Sequence, residues 1–306
     1  MEVRMASALI DFSNELAEAV EQAGKSVVVI PEGGQSGVSG TVWRQGIVVT
    51  AEHTIRGRQE VSVVLSRGET AKAAVAGRDS TTDLAVLKVA GGNIAPARLA
   101  DPAQLRVGHL ALAIGRRSDE GLCASYGVVS AIGGEWRTWQ GGRIDRFLRL
   151  DLLPFTGFSG GPVVDVQGQV LGINTSGPRR SVLTIPRTTV DRVVTQLLEK
   201  GHIARGYLGA GLQPVQLPAT IRKGAAEKYD RGLLIVTVAP DGPAEKAGLL
   251  LGDILLALEG KSVSEPGDVQ AALDSESVGK TLSALLLRGG KAVESNITIG
   301  ERPRRA

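Results

Sequence analysis

Apolar positions along the chain change period several times. Between residues 9 and 23, Leu9, Phe12, Leu16 and Val20 fall three to four apart, which predicts an amphipathic helix ended by Gly24. Its stripe either packs on its own domain or meets a partner, and Phe12 is the apolar residue best suited to the second role. From Lys25 to Pro186 the helical period gives way to runs of four to eight residues rich in Val, Ile and Leu. KSVVVI, GIVVTA, EVSVVL, LAVLKV, LALAIG, YGVVSAI, PVVDV, QVLGINT and SVLTIP are among them, separated by Gly, Asp, Ser or Arg. About a dozen such strands with no long helix between them predict antiparallel barrels or sandwiches rather than a parallel α/β sheet. In RTTVDRVVTQLLEKG, residues Val190, Val193, Val194, Leu197 and Leu198 again make one helical face, with Gly201 as the stop. Residues 206–300 then mix short strands (LLIVTVA, DILLALEG, TLSALLLRGG) with two short helices, PAEKAG and PGDVQAALDS. The expected organisation is an N-terminal helical segment (1–24), a β domain (25–187), a linker helix (188–205), a smaller α+β domain (206–300) and a basic, disordered tail (301–306).

Composition narrows the function classes. A 306-residue chain with 42% hydrophobic and 22% charged residues suits folded domains with real cores. Its apolar runs fall well short of the roughly 20 residues of a membrane span. One cysteine, Cys123, excludes an internal disulfide framework and any zinc site built on several thiolates. The 35 basic residues against 32 acidic ones leave a net charge of +3, too mild and too scattered to argue for nucleic acid. No cofactor and no metal are expected.

Nucleophilic hydrolysis needs an activated hydroxyl or thiol, a base and oxyanion donors. Cys123 has no basic residue beside it and reads as a buried structural thiol. Ser159 has the most unusual setting, TGFSGGPVVD, with glycines at 157, 160 and 161. Such a loop lets the N–H groups of Gly157 and Ser159 converge on one oxygen, although FSGG alone also suits an ordinary hairpin turn. The chain offers three histidines as base. His109 begins an apolar strand and His202 follows the second helix, whereas His53 stands where a buried strand opens into a loop. Of the acids in GRDSTTDLAVLKV, Asp79 and Asp83, the latter stands immediately before an apolar strand, where a semi-buried carboxylate needs a partner such as His53.

TAEHTI, DSTTDLAVLKV and GFSGGPVVD, in this order, resemble the chymotrypsin-like serine proteases, and more closely their bacterial HtrA/Deg branch. GINT at 172–175, TIP at 184–186 and RGYLG from Arg205 extend the resemblance over nearly the whole chain. The resemblance implies a mainly β fold, a double six-stranded β-barrel with the site in the cleft between barrels. It also implies an acyl-enzyme mechanism: Ser159 the nucleophile, His53 the base, Asp83 its orienter, and the N–H groups of Gly157 and Ser159 the oxyanion hole. Departures from the family pattern lie close to that site. Phe158 stands where Asn or Asp is usual, Phe155-Thr156 replaces an Asn-Pro-like pair, and the SGPRRS loop with Arg179 and Arg180 is short. Phe155, Thr156 and Phe158 are expected to reshape the primed or S1 side. Trp136, Trp139, Phe147, Phe155 and Phe158 crowd into the stretch before Ser159, either as a satellite core or, in EWRTWQGGR, as a regulatory loop beside the site.

GYLGAGLQ, VAPDGPAEKAGLLLGDILLALEGKSV and PGDVQAALDS resemble a bacterial PDZ domain, which adds a peptide strand to a sheet edge and captures its carboxylate on backbone N–H groups. The resemblance makes Tyr207-Leu208-Gly209-Ala210 the carboxylate loop and places Val269 and Leu273 along the groove, where each also reads as core. Arg205, just before the loop, is either a carboxylate partner or a surface residue. The family implies homotrimers built through the N-terminal segment, and unfolded or damaged protein as substrate. A peptide-binding scaffold or chaperone with a weak or inactive protease domain is the alternative from another class. With no apolar leader in MEVRMASALIDFSNELAEAV, a cytoplasmic location is expected, with a periplasmic or extracytoplasmic one if an export segment has been removed.

Overall fold

The computed structural model describes residues 2–32, 35–91, 94–138, 140–153, 155–176, 182–222, 224–274 and 276–303. The chain forms two compact units, Met1–Ile203 and Ala204–Ala306.

In the first unit, strands β1 (Val27–Glu32), β2 (Gln35–Arg44), β3 (Ile47–Ala51), β4 (Glu60–Val64), β5 (Thr70–Asp79) and β6 (Leu84–Val89) close a barrel in the order β1-β2-β3-β6-β5-β4. Alternation accounts for the mixed strands: β4, EVSVV, buries Val61 and Val63 and exposes Glu60 and Ser62. β3 and β6 are apolar almost throughout because both of their faces are covered. Val48, Ala85 and Leu87 point into the barrel. Val49, Leu84 and Val86 point the other way, into a core shared with a second sheet and two helices.

That second sheet runs β11-β8-β7-β12-β13-β14, with its two end strands side by side. It comprises β7 (Leu110–Arg117), β8 (Gly121–Ile132), β11 (Leu148–Asp151), β12 (Pro162–Val164), β13 (Val170–Ser176) and β14 (Val182–Pro186). Between β8 and β11, β9 (Trp136–Arg137) and β10 (Arg143–Ile144) pair as a small hairpin. Helix α1 (Glu2–Gly24) is longer than its apolar stripe. Its last turns bury Ala19 and Ala23 in the shared core, while Leu9, Ile10 and Phe12 remain exposed. Helix α2 (Arg187–Lys200) buries Val190, Val193, Val194 and Leu197 completely in the same core. Gly201 stops it in the left-handed region at φ 72°, its N–H donating to Leu197 O. Cys123, on β8, is half-buried rather than buried. Burial and then the neighbouring Glu120 carboxylate push its thiol up, away from a nucleophilic thiolate.

The second unit is a sheet in the order β16-β17-β18-β20-β21. β15 (Gly206–Tyr207) precedes β16 (Ala210–Gln216), β17 (Arg231–Val238) and β18 (Ile254–Leu258), and β19 (Lys261–Ser262) pairs with β18. β20 (Thr281–Arg288), β21 (Lys291–Thr298) and β22 (Gly300–Glu301) follow, and β22 pairs with β15. Two short helices, α3 (Pro243–Lys246) and α4 (Pro266–Ala272), cover its core of Leu208, Leu233, Ile235, Leu255, Val269 and Leu286. Glu301, assigned to a disordered tail from sequence, lies in β22, and Arg302 N–H donates to Arg205 O (2.8 Å).

Candidate active site

His53 sits in a one-turn 3-10 helix, Glu52–Ile55, at the end of β3. The tight turn from β5 to β6 carries Asp83, whose φ of 55° lies in the left-handed region that Asp tolerates better than most residues. Its neighbour Asp79 is the buried anchor of that turn, accepting from Thr81 N–H (3.1 Å), Thr81 Oγ1 (2.6 Å) and Thr82 Oγ1 (2.7 Å). The two aspartates offered by the sequence therefore divide their work. Asp79 shapes the turn, and Asp83 is free to face His53.

Asp83 Oδ1 accepts from the His53 backbone N–H (2.8 Å), and Oδ2 meets His53 Nδ1 at 2.6 Å. A further donor, Thr175 Oγ1 at the end of β13, also binds Oδ2. Burial pushes the Asp83 carboxyl up, but hydrogen bonds from His53 and Thr175 outweigh it and hold the group below the usual carboxylate range. The hydrogen bond to Asp83 raises the His53 imidazole above its ordinary 6.5, against partial burial and the charge of Arg56. In the sequence Thr175 stands only as the last residue of GINT. Its role depends on a side chain 92 residues from Asp83, a separation that no local pattern reveals.

Ser159 lies on the loop between β11 and β12, wedged against both barrels. Gly160 N–H donates to Asn174 O (2.8 Å), one residue before Thr175, and Thr41 Oγ1 donates to Gly160 O (2.9 Å). A methyl group at Gly160 would lie 2.1 Å from Ser39 O and 2.4 Å from Thr50 Oγ1. Only glycine permits that approach, and it brings Ser159 against the strand that ends at His53. Among the described residues, neither Ser159 Oγ nor His53 Nε2 makes a hydrogen bond. In unliganded sites such contacts commonly form only with substrate.

Ahead of Ser159, Phe158 N–H donates to Phe155 O (3.4 Å) around Gly157, whose φ is 95°. This is a type II turn, which requires positive φ at its third residue. The N–H groups of Gly157 and Ser159 have no acceptor within the described chain. Of the side chains expected to reshape the primed or S1 side, Phe155 stays exposed and Phe158 turns inward. Its ring is 4% exposed and fills the space over Gly115, where an added methyl would lie 2.4 Å from the ring, and Phe155 packs edge-on against it at 5.5 Å. Arg179, Arg180 and Trp139 lie outside the described residues.

Beside His53 opens a cleft of about 680 Å³, lined by His53, Asp83, Thr175, Trp136, Thr138 and Leu183, among others. Its outer wall is the β9–β10 hairpin, docked on the Asp83 turn: Thr138 Oγ1 donates to Thr81 O (2.7 Å). Gly142 approaches the same carbonyl so closely that a methyl there would lie 2.4 Å from it. Trp136 packs edge-on against Phe147 (5.9 Å) and also lines the cleft. His109 pairs with Arg106 (3.4 Å) and His202 contacts Lys200 O (2.9 Å), each away from Asp83.

In the second unit, Leu208 O and Gly209 O are tied inward by the Ala244 and Ala239 N–H groups (2.8 Å each), while the N–H groups of Leu208 and Gly209 donate to no acceptor in the described chain. Gly209 has φ 76° and lies against Gly242 and Pro243, so this loop needs its glycine. Val269 is 3% exposed and belongs to the core, whereas Leu273 is half-buried at the end of α4, its carbonyl accepting from Gly206 N–H (3.2 Å).

Both units are similar to known proteins. Residues 38–173 match the trypsin-like peptidase domain family and residues 206–299 the PDZ domain family. A probable periplasmic serine endoprotease, DegP-like, from Brucella suis is 35% identical over 270 residues, covering 84% of this chain and 51% of that protein. A DegP-like relative of the same description from Rhizobium meliloti is 33% identical over 269 residues, covering 86% of this chain and 52% of that protein. The chain thus spans about half the length of these curated relatives. The solved structure of the HtrA-type protease AlgW with a decapeptide has a TM-score of 0.76 at 26% identity, covering 95% of this chain and 99% of that one. The serine endoprotease from Yersinia pestis gives 0.72 at 28% identity, covering 94% and 98%. The relatives' periplasmic descriptions overturn the cytoplasmic location expected from sequence. An export leader is a removable address and no part of the fold, so nothing in the folded units weighs against that finding. With a trypsin-like peptidase domain followed by a PDZ domain, the chain belongs to the HtrA/Deg family of serine proteases.

Proposed function

We propose that the chain is a serine endopeptidase that cleaves unfolded or damaged proteins in the periplasm, with Ser159, His53 and Asp83 as its catalytic triad. The observation that carries this reading is the His53–Asp83 pair, at 2.6 Å and with the Asp83 carboxylate held charged by three donors. Ser159 Oγ attacks the peptide carbonyl and forms an acyl-enzyme. His53 Nε2 takes the hydroxyl proton and returns it to the leaving amine, while Asp83 fixes the Nδ1–H tautomer and stabilises the imidazolium. The unbonded N–H groups of Gly157 and Ser159 receive the oxyanion, each worth roughly 2.7–4 kcal/mol in comparable sites. Water then releases the acyl group by the same steps in reverse order.

The PDZ unit binds peptide C-termini. Its Tyr207-Leu208-Gly209-Ala210 loop takes the carboxylate on outward N–H groups, the peptide adds a strand beside β16, and Leu273, with Val269 beneath it, meets the last side chain. Such binding recruits substrate or regulates the protease unit. The exposed Leu9, Ile10 and Phe12 of α1 suit an interface between copies in a homotrimer. The test of activity is labelling by a fluorophosphonate probe together with cleavage of unfolded casein. A labelled chain that cuts casein supports the endopeptidase. An unlabelled, inert one leaves a peptide-binding scaffold.

Two expectations follow from the site's electrostatics and packing. The base must be neutral to accept a proton, and its raised pKa keeps it protonated to higher pH. The acid limb of kcat/KM should therefore have its midpoint above 6.5, so that a profile at pH 5–9 shows less than half the plateau at pH 6.5. The same shift makes His53's contribution to stability complete below about pH 6.5 and lost as pH rises through its folded value. The lowered Asp83 contributes above its usual range, and that share is lost as pH falls through its folded value.

Trp136→Ala should lower kcat/KM on protein substrates by about tenfold, because it removes one wall of the cleft beside His53. The lost edge-to-face contact with Phe147 costs about 0.5–1.5 kcal/mol in stability. Unchanged kcat/KM with a lower melting temperature would show Trp136 to be core alone.

A further inference from the structure

Ser39 is a fully buried residue of β2, in the first barrel, and no part of the triad. Its polar atoms converge on the loop of the nucleophile. Ser39 Oγ donates to Gly157 O at 2.7 Å and accepts from Arg116 N–H, at the end of β7, at 2.9 Å. The Ser39 backbone N–H reaches both Gly157 O and Ser159 O, each at 3.2 Å. The hydroxyl has one proton to give, and the Gly157 carbonyl, nearer than Arg116 O at 3.4 Å, takes it. One residue thus holds the carbonyls on both sides of the Ser159 N–H and ties them to strands of both barrels.

From this geometry we infer that Ser39 is a positioning residue, whose hydroxyl keeps the Gly157–Ser159 turn in the conformation that presents its N–H groups to the oxyanion. A trans peptide points its C=O and N–H in opposite directions. Holding Gly157 C=O on Ser39 aims the Phe158 N–H of the same peptide at Phe155 O, and that bond closes the type II turn. Closure in this form sets the direction of the Gly157 N–H. Without the hydroxyl, Gly157 O keeps only the longer backbone bond, and the half-buried Arg116 N–H loses its Ser39 acceptor. The turn then spends part of its time with a peptide flipped, and in that state the oxyanion loses a donor. Ser39 is itself fully buried and out of a substrate's reach, so the loss belongs to the transition state and not to ground-state binding.

The inference rests on the proposed roles of Ser159 and Gly157, and its test separates the two. The measurements are fluorophosphonate labelling of the full chain, kcat and KM on a fluorogenic peptide copied from a casein cleavage site, and inhibition by a matching peptide boronate. Ser39→Ala should lower kcat by about 30-fold, somewhat less than removal of a donor itself, with KM within about twofold. Boronate Ki should rise by the same factor by which kcat/KM falls. Ser39→Cys keeps a weak donor and acceptor and should fall between the two, and it decides the question where circular dichroism shows the alanine variant unfolded. A folded variant with wild-type kcat, a loss confined to KM, or an unchanged boronate Ki would overturn the role of Ser39. A wild-type chain that the probe does not label removes the reading of Ser159 and the inference with it, whereas a labelled wild type beside an indifferent Ser39→Ala sinks the inference alone.

Discussion

Replacing Ser159 with alanine is expected to lower kcat by about 10⁶-fold while leaving the fold intact. The hydroxyl makes no hydrogen bond among the described residues, so its removal strands no buried partner, and stability should stay within about 0.5 kcal/mol. His53→Ala should cost a comparable factor, and the double variant no more than either single one, because nucleophile and base act as one unit. Residual turnover above the uncatalysed rate would come from the Gly157–Ser159 turn and from substrate binding. The measurement is single-turnover cleavage of a labelled peptide by each variant, with active-site titration to exclude contaminating protease. A Ser159→Ala protein retaining more than about a hundredth of wild-type kcat would remove Ser159 from the nucleophile's role.

Asp83→Asn is expected to lower kcat by about 10⁴-fold. The direction follows from which atom each donor uses. The His53 backbone N–H donates to Oδ1, which keeps the amide oxygen at that position. The amide NH₂ then falls at Oδ2, where it faces His53 Nδ1 and Thr175 Oγ1. A donor facing Nδ1 selects the tautomer with its proton on Nε2, and that nitrogen can no longer accept from Ser159. Asn tolerates the left-handed backbone at position 83 as Asp does, so the substitution tests chemistry and not turn strain. The hydrogen bond that raises the His53 pKa is weakened at the same time, and the imidazole should titrate lower, as followed by the proton resonance of its ring. A kcat within tenfold of wild type would remove Asp83 from the site.

Much of this architecture was legible before any coordinate. The period of two along β4, the near-continuous apolar runs of β3 and β6, the helical stripe of α2 and its Gly201 stop are all local patterns, set by which faces of an element meet water. The candidate base emerged because histidines are few and only His53 follows a buried strand, and the serine because three glycines surround it. Burial depth was less legible. Phe158, read as a reshaper of the substrate pocket, turns inward because Gly115 on a neighbouring strand leaves room for its ring. Cys123, read as buried, is only half so.

The sequence by itself determined the β-rich architecture, the order of the two units and the short roster of chemically able side chains, because periodicity, glycine placement and the scarcity of histidine are properties of the chain alone. Tertiary structure alone decided which of those side chains work together. Asp79 and Asp83 stand four residues apart in one loop, and only the fold turns one to Thr81 and Thr82 and the other to His53. Thr175 reaches Asp83, and Ser39 reaches Gly157 across 118 residues, because the first barrel and the second sheet pack against each other. A hydrogen bond depends on a few tenths of an ångström and an angle, and a sequence pattern carries neither until packing has placed both partners.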